Sequence, residues 1–562
     1  MRGLRTLTAA LDQAARVDTG VSFVHDAAEV FRSYAGIRQE SQRVACALVD
    51  AGLQRGDLVA LVLSDPEAFL TAFFGASMAC LVPASLYPPA TSGGIGQYVE
   101  QTAAILRTSG ARALLTTSAL AASFEAVRAG CPELALVLTY ETIDAPLFEL
   151  SARPSLDDIA CVQFTSGSAS APKGVALTHA NLAANIDAIN GPSGLATTGA
   201  DVAVSWLPLN HDMGLVGMAL GALYAARPCV LMTPQAFVKR PAAWLRAMTR
   251  HRGTVSFAPN FAYDLCVRRV KDCDGLDLST WRVAGCGAEP IHAATLSAFA
   301  EKFAPVGFRA ASFLPSYGLA EHVLAATLSP LGRPPQTEEV SRDDLLDRRV
   351  AAPGRGDGPS ITLVSCGRPF PGHEVQVVGE DGRPLPERHV GEIVLAGPSV
   401  MHGYYRQEAL TAEAIRGGRL WTGDLGYLSG GELFVCGRAK DIIIVNGRKH
   451  HPQDLEWAVD GLGGVRRGRV AAFAVNEPGR ADRVVIVVEP NGTRPADVLT
   501  EAIRKRIGDA FGVYVDEVAI APSGTVGRTT SGKVQRAATK ARYECGEFAA
   551  ATADVRPPSA AR

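Results

Sequence analysis

The chain has 562 residues, more than one ordinary hydrophobic core holds, so we expect several domains or subdomains. Apolar residues make up 47% and charged residues 20%, a balance typical of a folded globular protein and not of a disordered one. The formal net charge of -2 gives no global basic field, so nucleic acid is not an expected partner.

The cysteines and the apolar stretches bear on the compartment. The 11 cysteines are scattered without a CxxC pair, which argues against a disulfide framework and a structural zinc site. Small buried thiols suit a reducing cytosol, and we expect a cytoplasmic protein. Residues 1–17 contain no long apolar run, so no signal peptide is predicted. The most apolar stretch, Val216 to Ala226, is too short to be a transmembrane segment and predicts a buried helix.

The first part of the chain alternates apolar runs with amphipathic stretches. Ile37 to Asp50 predicts a helix that ends before Gly52, and Leu58 to Leu63 predicts a strand buried on both faces. Another helix is predicted with Pro66 in its first turn. Similar pairs of a short strand and a helix are predicted to begin at 162–165, 202–207, 229–232 and 254–258. This alternation predicts an α/β fold of layered, mostly parallel sheets.

The later part of the chain has a different pattern. Short strands between Gly/Pro turns predict a β-rich subdomain at about 361–437, which completes a large N-terminal domain over 1–437. Residues 333–360 are polar and predict an exposed insertion or a mobile loop. Residues 438–548 predict a small α+β C-terminal domain, and the small residues, prolines and arginines of 549–562 predict a disordered tail.

A loop rich in small residues follows the strand-like run that contains Gln163. Its residues include Thr165, Ser166, Gly167, Ser168 and Lys173. Small hydroxyl residues and glycine let the backbone approach a polyphosphate, and a lysine adds a mobile positive charge. The spacing does not fit the GxxxxGKS/T pattern of P-loop NTPases. Taken alone, the loop is equally compatible with an ordinary surface turn.

Further motifs follow this loop along the chain. They are SYGLAE at 316–321, WTGD at 421–424, GRAKD at 437–441 and GRTTSGK at 527–533. With them the chain resembles, over nearly its whole length, the acyl-adenylate-forming (AMP-binding) superfamily of acyl-CoA synthetases, luciferases and peptide-synthetase adenylation domains. The resemblance implies ATP and Mg²⁺ as cofactors, and attack by a carboxylate on the α-phosphate of ATP with pyrophosphate leaving. It also implies that the C-terminal domain moves about a hinge near Ala439-Lys440.

The resemblance assigns residues to the nucleoside. Tyr317, next to Gly318, would stack on adenine, and the other wall would consist of Gly287, Ala288 and Glu289. Asp424 would accept hydrogen bonds from both ribose hydroxyls. Judged without the other motifs, Tyr317 is as compatible with a core aromatic, and Asp424 with a turn aspartate.

It also assigns residues to the reacting groups. Glu321 would help to hold Mg²⁺, although a glutamate after Gly318 is as compatible with a helix cap. Arg438 would contact the nucleotide from the interdomain hinge. Lys533 would be the catalytic lysine that bridges the acyl carboxylate and the phosphate during adenylation. Its stretch is rich in Gly, Ser and Thr and cannot form a core by itself.

Three segments resemble one branch, the fatty acyl-AMP ligases: SWLPLNHDMGL at 205–215, QFTSGS at 163–168 and GRKHHPQDLE at 447–456. These ligases activate a fatty or related carboxylic acid and pass it to the phosphopantetheine thiol of a holo acyl carrier protein. They carry an insertion that hinders the coenzyme A half-reaction, and residues 333–360 lie where it would be. The alternative is an acyl-CoA synthetase that uses coenzyme A. A third possibility is a non-catalytic homologue that acts as a binding protein.

His211, in the HDMG segment, is predicted to line the acyl pocket beside the carboxylate and to act in catalysis; the alternative is a satisfied core histidine. Four apolar residues predict either an acyl tunnel or plain core: Met213, Leu215, Met218 and Phe257. Ala169 and Ser170 stand where the family often has Thr and Gly, which removes a hydroxyl and backbone freedom. Lys173 is present although many fatty acyl-AMP ligases have replaced it, which favours the coenzyme A alternative.

Overall fold

The computed structural model describes residues 3–25, 28–89, 95–165, 173–354, 359–445, 448–475, 483–528 and 534–548. These residues form a large body built on two mainly parallel sheets and one antiparallel sheet, followed by a small α+β module. None of the helices in these ranges is both long and apolar enough to cross a membrane.

The first large sheet is covered by helices on both faces. Its spatial order is Gly403–Tyr404, Lys173–Thr178, Ile159–Thr165, Val82–Ser85, Leu58–Leu61, Ala113–Thr116 and Leu136–Thr139. The last five strands are parallel, and the first two pair antiparallel. One face packs on helices Tyr34–Asp50 and Pro66–Met78, and the other on Ile95–Ser109 and Ser118–Arg128. Every residue of Leu58–Leu61 is buried as a result.

The second large sheet carries the remaining strands of the large body's core. Its order is Arg368–Pro369, Ala325–Leu328, Phe313–Gly318, Val283–Cys286, Val255–Ala258, Ala203–Ser205, Cys229–Met232, Gly20–Val24 and Glu29–Ser33. The strands from Phe313–Gly318 to Gly20–Val24 are parallel. The further helices of the large body are Leu7–Ala14, His179–Asn190, Gly221–Tyr224, Pro234–Lys239, Ala242–Arg250, Asn260–Arg269 and Ala293–Phe303.

The helix and strand predictions hold, with shifted ends. The helix expected from Ile37 begins at Tyr34, because the Ser33 hydroxyl accepts a hydrogen bond from the Gly36 N–H and caps it. Pro66 lies at the first helical position, after the capping Asp65. The buried strand ends at Leu61 and not at Leu63.

The buried apolar helix predicted at 216–226 is confirmed, but it begins earlier and is wound differently. Met213–Leu220 is a π-helix, and Gly221–Tyr224 continues it as an α-helix. Periodicity does not distinguish these windings in a segment that is apolar on all sides. Such widened turns occur frequently at functional sites.

The antiparallel sheet follows the two large ones. It contains Glu374–Val378, Gly391–Ala396, Arg419–Ser429, Ile415–Arg416 and Glu432–Arg438, with helix Glu408–Ala414 before Ile415. Before it, strands Thr337–Ser341 and Ser360–Val364 pair antiparallel, and helix Arg342–Leu346 follows the first of them. Arg342 donates from Nη1 to the Ala510 carbonyl at 2.7 Å, so this helix contacts the small module.

The small module has its own core. The module begins with the hairpin Ile443–Val445 and Arg448–His450. The module's sheet has the order Val465–Val475, Arg483–Pro490 and Glu517–Ile520. Helices Pro452–Asp460 and Ala496–Phe511 pack on one face, and Arg536–Glu544 packs on the other. At its junction with the large body, a Cβ added to Gly437 would lie 2.7 Å from His451 Nδ1 and 2.9 Å from Gln453 Nε2.

Candidate active site

A hydrogen-bonded chain connects three of the predicted nucleotide residues. The Tyr317 hydroxyl donates to Asp424 Oδ2 at 2.8 Å, and Arg438 donates from Nε to Asp424 Oδ1 at 2.8 Å. Asp424 and Arg438 lie opposite each other on paired strands, and Tyr317 ends a strand of the second large sheet. The sequence motifs that carry these residues are far apart, and the fold brings them together at one wall.

Burial and charge keep these groups in defined protonation states. Burial raises the pKa of Tyr317 well above its usual value, and the nearby Asp424 carboxylate raises it further. The same carboxylate raises the pKa of Arg438. The tyrosine therefore remains a hydroxyl donor and the arginine remains a cation. Asp424 and Tyr317 both line the cleft.

Glu321 belongs to a second polar corner. The Tyr404 hydroxyl donates to Glu321 Oε1 at 2.9 Å, and Lys173 Nζ lies 4.8 Å from the centre of the Tyr404 ring. The strand Gly403–Tyr404 pairs with Lys173–Thr178, which places Tyr404 beside the end of the phosphate loop. Burial and the Glu321 carboxylate raise the pKa of Tyr404, so the ring keeps its proton.

A buried asparagine holds the turn that carries Glu321. Asn185 Nδ2 donates to the Ala325 carbonyl at 2.8 Å and to Ser399 Oγ at 3.0 Å, and its Oδ1 accepts from the Ala325 N–H at 3.2 Å. Val323, inside the turn, has φ +64°, a conformation that β-branched residues rarely adopt. Packing and these hydrogen bonds together keep the turn in that conformation.

The predicted second adenine wall is only partly exposed to the cleft. Ala288 and Glu289 line it, whereas a Cβ added to Gly287 would lie 2.7 Å from Ser316 Oγ, so Gly287 permits close packing. Glu289 Oε1 accepts from the Phe261 N–H at 2.6 Å, at the first turn of helix Asn260–Arg269. Its carboxylate therefore caps a helix, which local sequence does not reveal because the partner is remote.

One cleft of about 2010 Å³ runs from the large body to the small module. Of the sequence-predicted site residues, it is lined by Lys173, His211, Ala288, Glu289, Tyr317, Gly318, Glu321, Asp424 and Arg438. Tyr404 lines it too, although the sequence analysis assigned it no role. A Gly-Tyr-Tyr run at 403–405 was the available signal, but its pairing with Lys173–Thr178 joins distant parts of the chain.

The apolar wall lies beside His211. Met213 and Phe257 line the cleft, as predicted for a tunnel, whereas Leu215 and Met218 belong to the core. His211 itself lines the cleft, with Nδ1 2.5 Å from Asp212 Oδ1, a contact that orients the ring. This position favours the predicted acyl-pocket place of His211 over the core alternative.

Some predicted residues lie outside the described ranges, namely Ser166, Gly167, Ser168 and Lys533. So do Ala169, Ser170 and the tail at 549–562. Thr165 ends its strand opposite Lys173. On the small module, Arg528 and Val534 form a β-bridge at the two sides of the segment that contains Lys533.

An α/β body with a nucleotide-type cleft and a small module beside it is the arrangement of an adenylate-forming ligase. The chain belongs to the AMP-binding enzyme family, whose model matches residues 11–405. A putative acyl-CoA synthetase of Caulobacter vibrioides is 38% identical over 560 residues, which cover 97% of this chain and 96% of that protein. The resemblance to the adenylate-forming superfamily and the predicted fold class are confirmed.

Two further similarities concern one branch of the family. The medium-chain-fatty-acid–acyl-carrier-protein ligase JamA of Moorena producens is 33% identical over 542 residues, covering 91% of this chain and 89% of that protein. A structure from structural and functional studies of fatty acyl-adenylate ligases from E. coli and L. pneumophila superposes with a TM-score of 0.91 at 36% identity. It covers 97% of this chain and 100% of that chain.

Proposed function

We propose that the protein uses ATP to convert a fatty or related carboxylic acid to its acyl-adenylate, with release of pyrophosphate. It then transfers the acyl group to the phosphopantetheine thiol of a holo acyl carrier protein. The observation that carries the proposal is the Tyr317–Asp424–Arg438 chain beside the Glu321–Lys173 corner in one cleft. The first group suits a nucleoside and the second suits phosphates, and the wall beside His211 suits an apolar acid.

Each group has a place in the adenylation step. Tyr317 would stack on adenine, and Asp424 would bind the ribose hydroxyls while Arg438 holds its carboxylate in place. Lys173 would neutralise phosphate oxygens as pyrophosphate leaves. His211 would orient the acid's carboxylate toward the α-phosphate, and Lys533 would bridge the two anions at the moment of attack.

Mg²⁺ fits the donors present at the phosphate corner. The described residues contain no group of three or more His, Cys, Asp or Glu side chains able to form a metal cage. A single carboxylate, with nucleotide phosphates and water as the other ligands, is how proteins usually hold Mg²⁺ in nucleotide sites. Glu321 would supply that carboxylate. When bound, the ion offsets charge on the phosphate oxygens.

Coenzyme A is the second candidate acceptor, favoured by the presence of Lys173 and by the name of the Caulobacter relative. Incubating the protein with ATP, a panel of acids and either coenzyme A or holo carrier protein separates the two. We expect acyl-carrier protein by mass spectrometry, with little acyl-CoA. Efficient acyl-CoA formation would reverse that choice, and no pyrophosphate release with any acid would favour the non-catalytic alternative.

Removing the Tyr404 hydroxyl should raise the Mg²⁺ requirement. Tyr404→Phe keeps the ring beside Lys173 but loses the hydrogen bond that orients Glu321. Loss of such a supporting hydrogen bond weakens metal binding by about tenfold or more. The measurement is the Mg²⁺ concentration for half-maximal ATP–pyrophosphate exchange. Tyr405→Phe is the control, since Tyr405 contacts Gly174 through its backbone N–H. Equal Mg²⁺ dependence in both variants would contradict the role of Tyr404.

Filling the space at Gly217 should shorten the acids that are accepted. Gly217 lies in the π-helix and lines the cleft, and a Cβ there would already be 2.9 Å from Leu324 Cδ2. Gly217→Leu should lower the ratio of kcat/KM for dodecanoic acid to kcat/KM for hexanoic acid by roughly tenfold or more. Gly221→Ala, in the following turn and outside the cleft lining, should leave the ratio unchanged. An unchanged ratio in Gly217→Leu would exclude this wall from the acyl site.

A further inference from the structure

Two buried side-chain amides line the cleft and have atoms with no hydrogen-bond partner among the described residues. Gln163 is 3% exposed and Asn210 is 7% exposed, and both line the cleft. Within the part of the chain that the structure describes, neither Nε2 nor Oε1 of Gln163 has a partner, and Nδ2 of Asn210 has none. Buried polar side-chain atoms are nearly always hydrogen-bonded, because an unpaired one bears its full desolvation penalty. These three atoms are therefore suited to a group that enters the cleft.

Two other asparagines, Asn185 and Asn190, contrast with these amides because they have hydrogen-bond partners within the fold. Asn185 is also fully buried, yet its nitrogen donates to Ala325 and Ser399, and its oxygen accepts from the Ala325 N–H. Asn190, on the same helix, donates to the Gly221 carbonyl and accepts from the Thr197 hydroxyl. Asn185 and Asn190 lie outside the cleft lining, and both have partners from the chain itself. Gln163 and Asn210 differ from them in lining the cleft.

The two amides lie at the polar end of the acyl wall. Asn210 directly precedes His211, ahead of the π-helix that carries Gly217. Gln163 pairs with Val175 in the antiparallel ladder that ends at Thr165 and Lys173. Both are therefore next to the groups assigned to the carboxylate and the phosphates. The Ser85 hydroxyl, beside Gln163 on the neighbouring strand, is also buried and without a partner among the described residues.

We propose that the acid activated here carries a hydrogen-bonding substituent close to its carboxyl group, and that Gln163 and Asn210 bind that substituent. The inference rests on the proposed function and specifies its substrate class as hydroxy, oxo or amide-bearing acids. A plain alkyl chain would leave the amide atoms buried and unpaired, whereas a hydroxyl or amide group both donates and accepts. The Asn210 N–H group suits a carbonyl or hydroxyl oxygen.

The first test compares acids of equal chain length with and without the substituent. The series is decanoic, 3-hydroxydecanoic and 2-oxodecanoic acids and N-heptanoylglycine, and kcat/KM is measured from pyrophosphate release with the protein, ATP and Mg²⁺. Sites built to hydrogen-bond a substrate group reject the analogue that lacks it by factors of up to roughly 10⁴. We expect at least one substituted acid to exceed decanoic acid by about 100-fold or more. Equal efficiency for decanoic acid and every substituted acid would overturn the inference.

The second test removes the hydrogen-bonding groups of Gln163 and Asn210 and measures the preference for the substituted acid over decanoic acid. Gln163→Met and Asn210→Leu keep approximate volume but remove hydrogen bonding, so they should raise kcat/KM for decanoic acid and lower it for the preferred acid. Because the ratio is measured within one variant, partial loss of folded protein cancels. Asn190→Leu is the control, whose ratio should stay at the wild-type value. An unchanged ratio in both cleft variants would show that the amides bind only water.

The outcomes also separate this inference from the proposed function. Rapid adenylation of plain fatty acids, with no gain from a substituent, would support the proposed function and overturn the substituent site. Failure to activate any acid, plain or substituted, would overturn the proposed function and the substituent site together. A large substituent preference that disappears in Gln163→Met or Asn210→Leu would support both.

Discussion

Replacing Lys533 by alanine should lower the rate of acyl-adenylate formation by roughly 100- to 1000-fold while leaving ATP binding near the wild-type level. In the proposed reaction two anions, the carboxylate and the α-phosphate, must approach each other, and a lysine between them offsets their repulsion most strongly in the transition state. In the proposal the nucleoside would be bound elsewhere, by Tyr317 and Asp424 of the large body. The change should therefore appear in the rate of ATP–pyrophosphate exchange and not in the Kd for ATP by calorimetry.

A transfer assay makes this prediction specific to one half-reaction. Supplying the Lys533→Ala variant with preformed acyl-adenylate and holo carrier protein should restore acyl transfer to about the wild-type rate, if the lysine acts only in adenylation. The control is Lys540→Ala, which removes a surface lysine that lies 3.8 Å from Glu544 on helix Arg536–Glu544. Wild-type adenylation by Lys533→Ala would refute the assignment.

Replacing Asp424 by alanine should weaken ATP binding and destabilise the fold at the same site. The change removes the acceptor of both the Tyr317 hydroxyl and the Arg438 guanidinium, together with the proposed ribose contacts. Hydrogen bonds to a charged group contribute about 1.5–3 kcal/mol, which corresponds to a loss of roughly 10- to 100-fold in ATP affinity. The measurements are the Kd for ATP and the melting temperature.

Tyr317→Phe is the matched comparison, because it keeps the aromatic ring and removes one of the two hydrogen bonds to Asp424. It should lose less ATP affinity and less stability than Asp424→Ala. If Asp424→Ala bound ATP as tightly as the wild type while its melting temperature fell, Asp424 would be a purely structural carboxylate. The Tyr317–Asp424–Arg438 chain would then hold two strands together and bind no ribose.

The parts of the fold that the sequence predicts are those determined by nearby residues. Strand Leu58–Leu61 is apolar throughout because helices cover both its faces. Pro66 marks the start of its helix because proline suits the first helical position. The motifs around Tyr317 and Asp424 likewise identify cleft residues. The sequence does not give the distance between Tyr317 and Asp424, because that distance depends on how the strands pair.

The residues that were missed act through contacts between remote segments. The strand that contains Tyr404 pairs with the strand that begins at Lys173, which places Tyr404 at the cleft. Asn185 acts through its hydrogen bond to the Ala325 carbonyl, in the turn after Glu321. Glu289 had been assigned to adenine, but its carboxylate also caps a helix that begins at Asn260. These contacts join segments that are far apart in the sequence, so a local pattern of polarity does not reveal them.

A substitution at Gly437 could change the position of the small module without any ligand. A methyl group at this position would press on His451 and Gln453 of the small module, at 2.7 Å and 2.9 Å, in the arrangement described above. An arrangement in which the module has turned away would not meet that methyl group. Alanine at 437 would thus act as a wedge of one carbon atom that biases the module away from the cleft. Scattering experiments on this variant would then test whether the module takes up a second orientation.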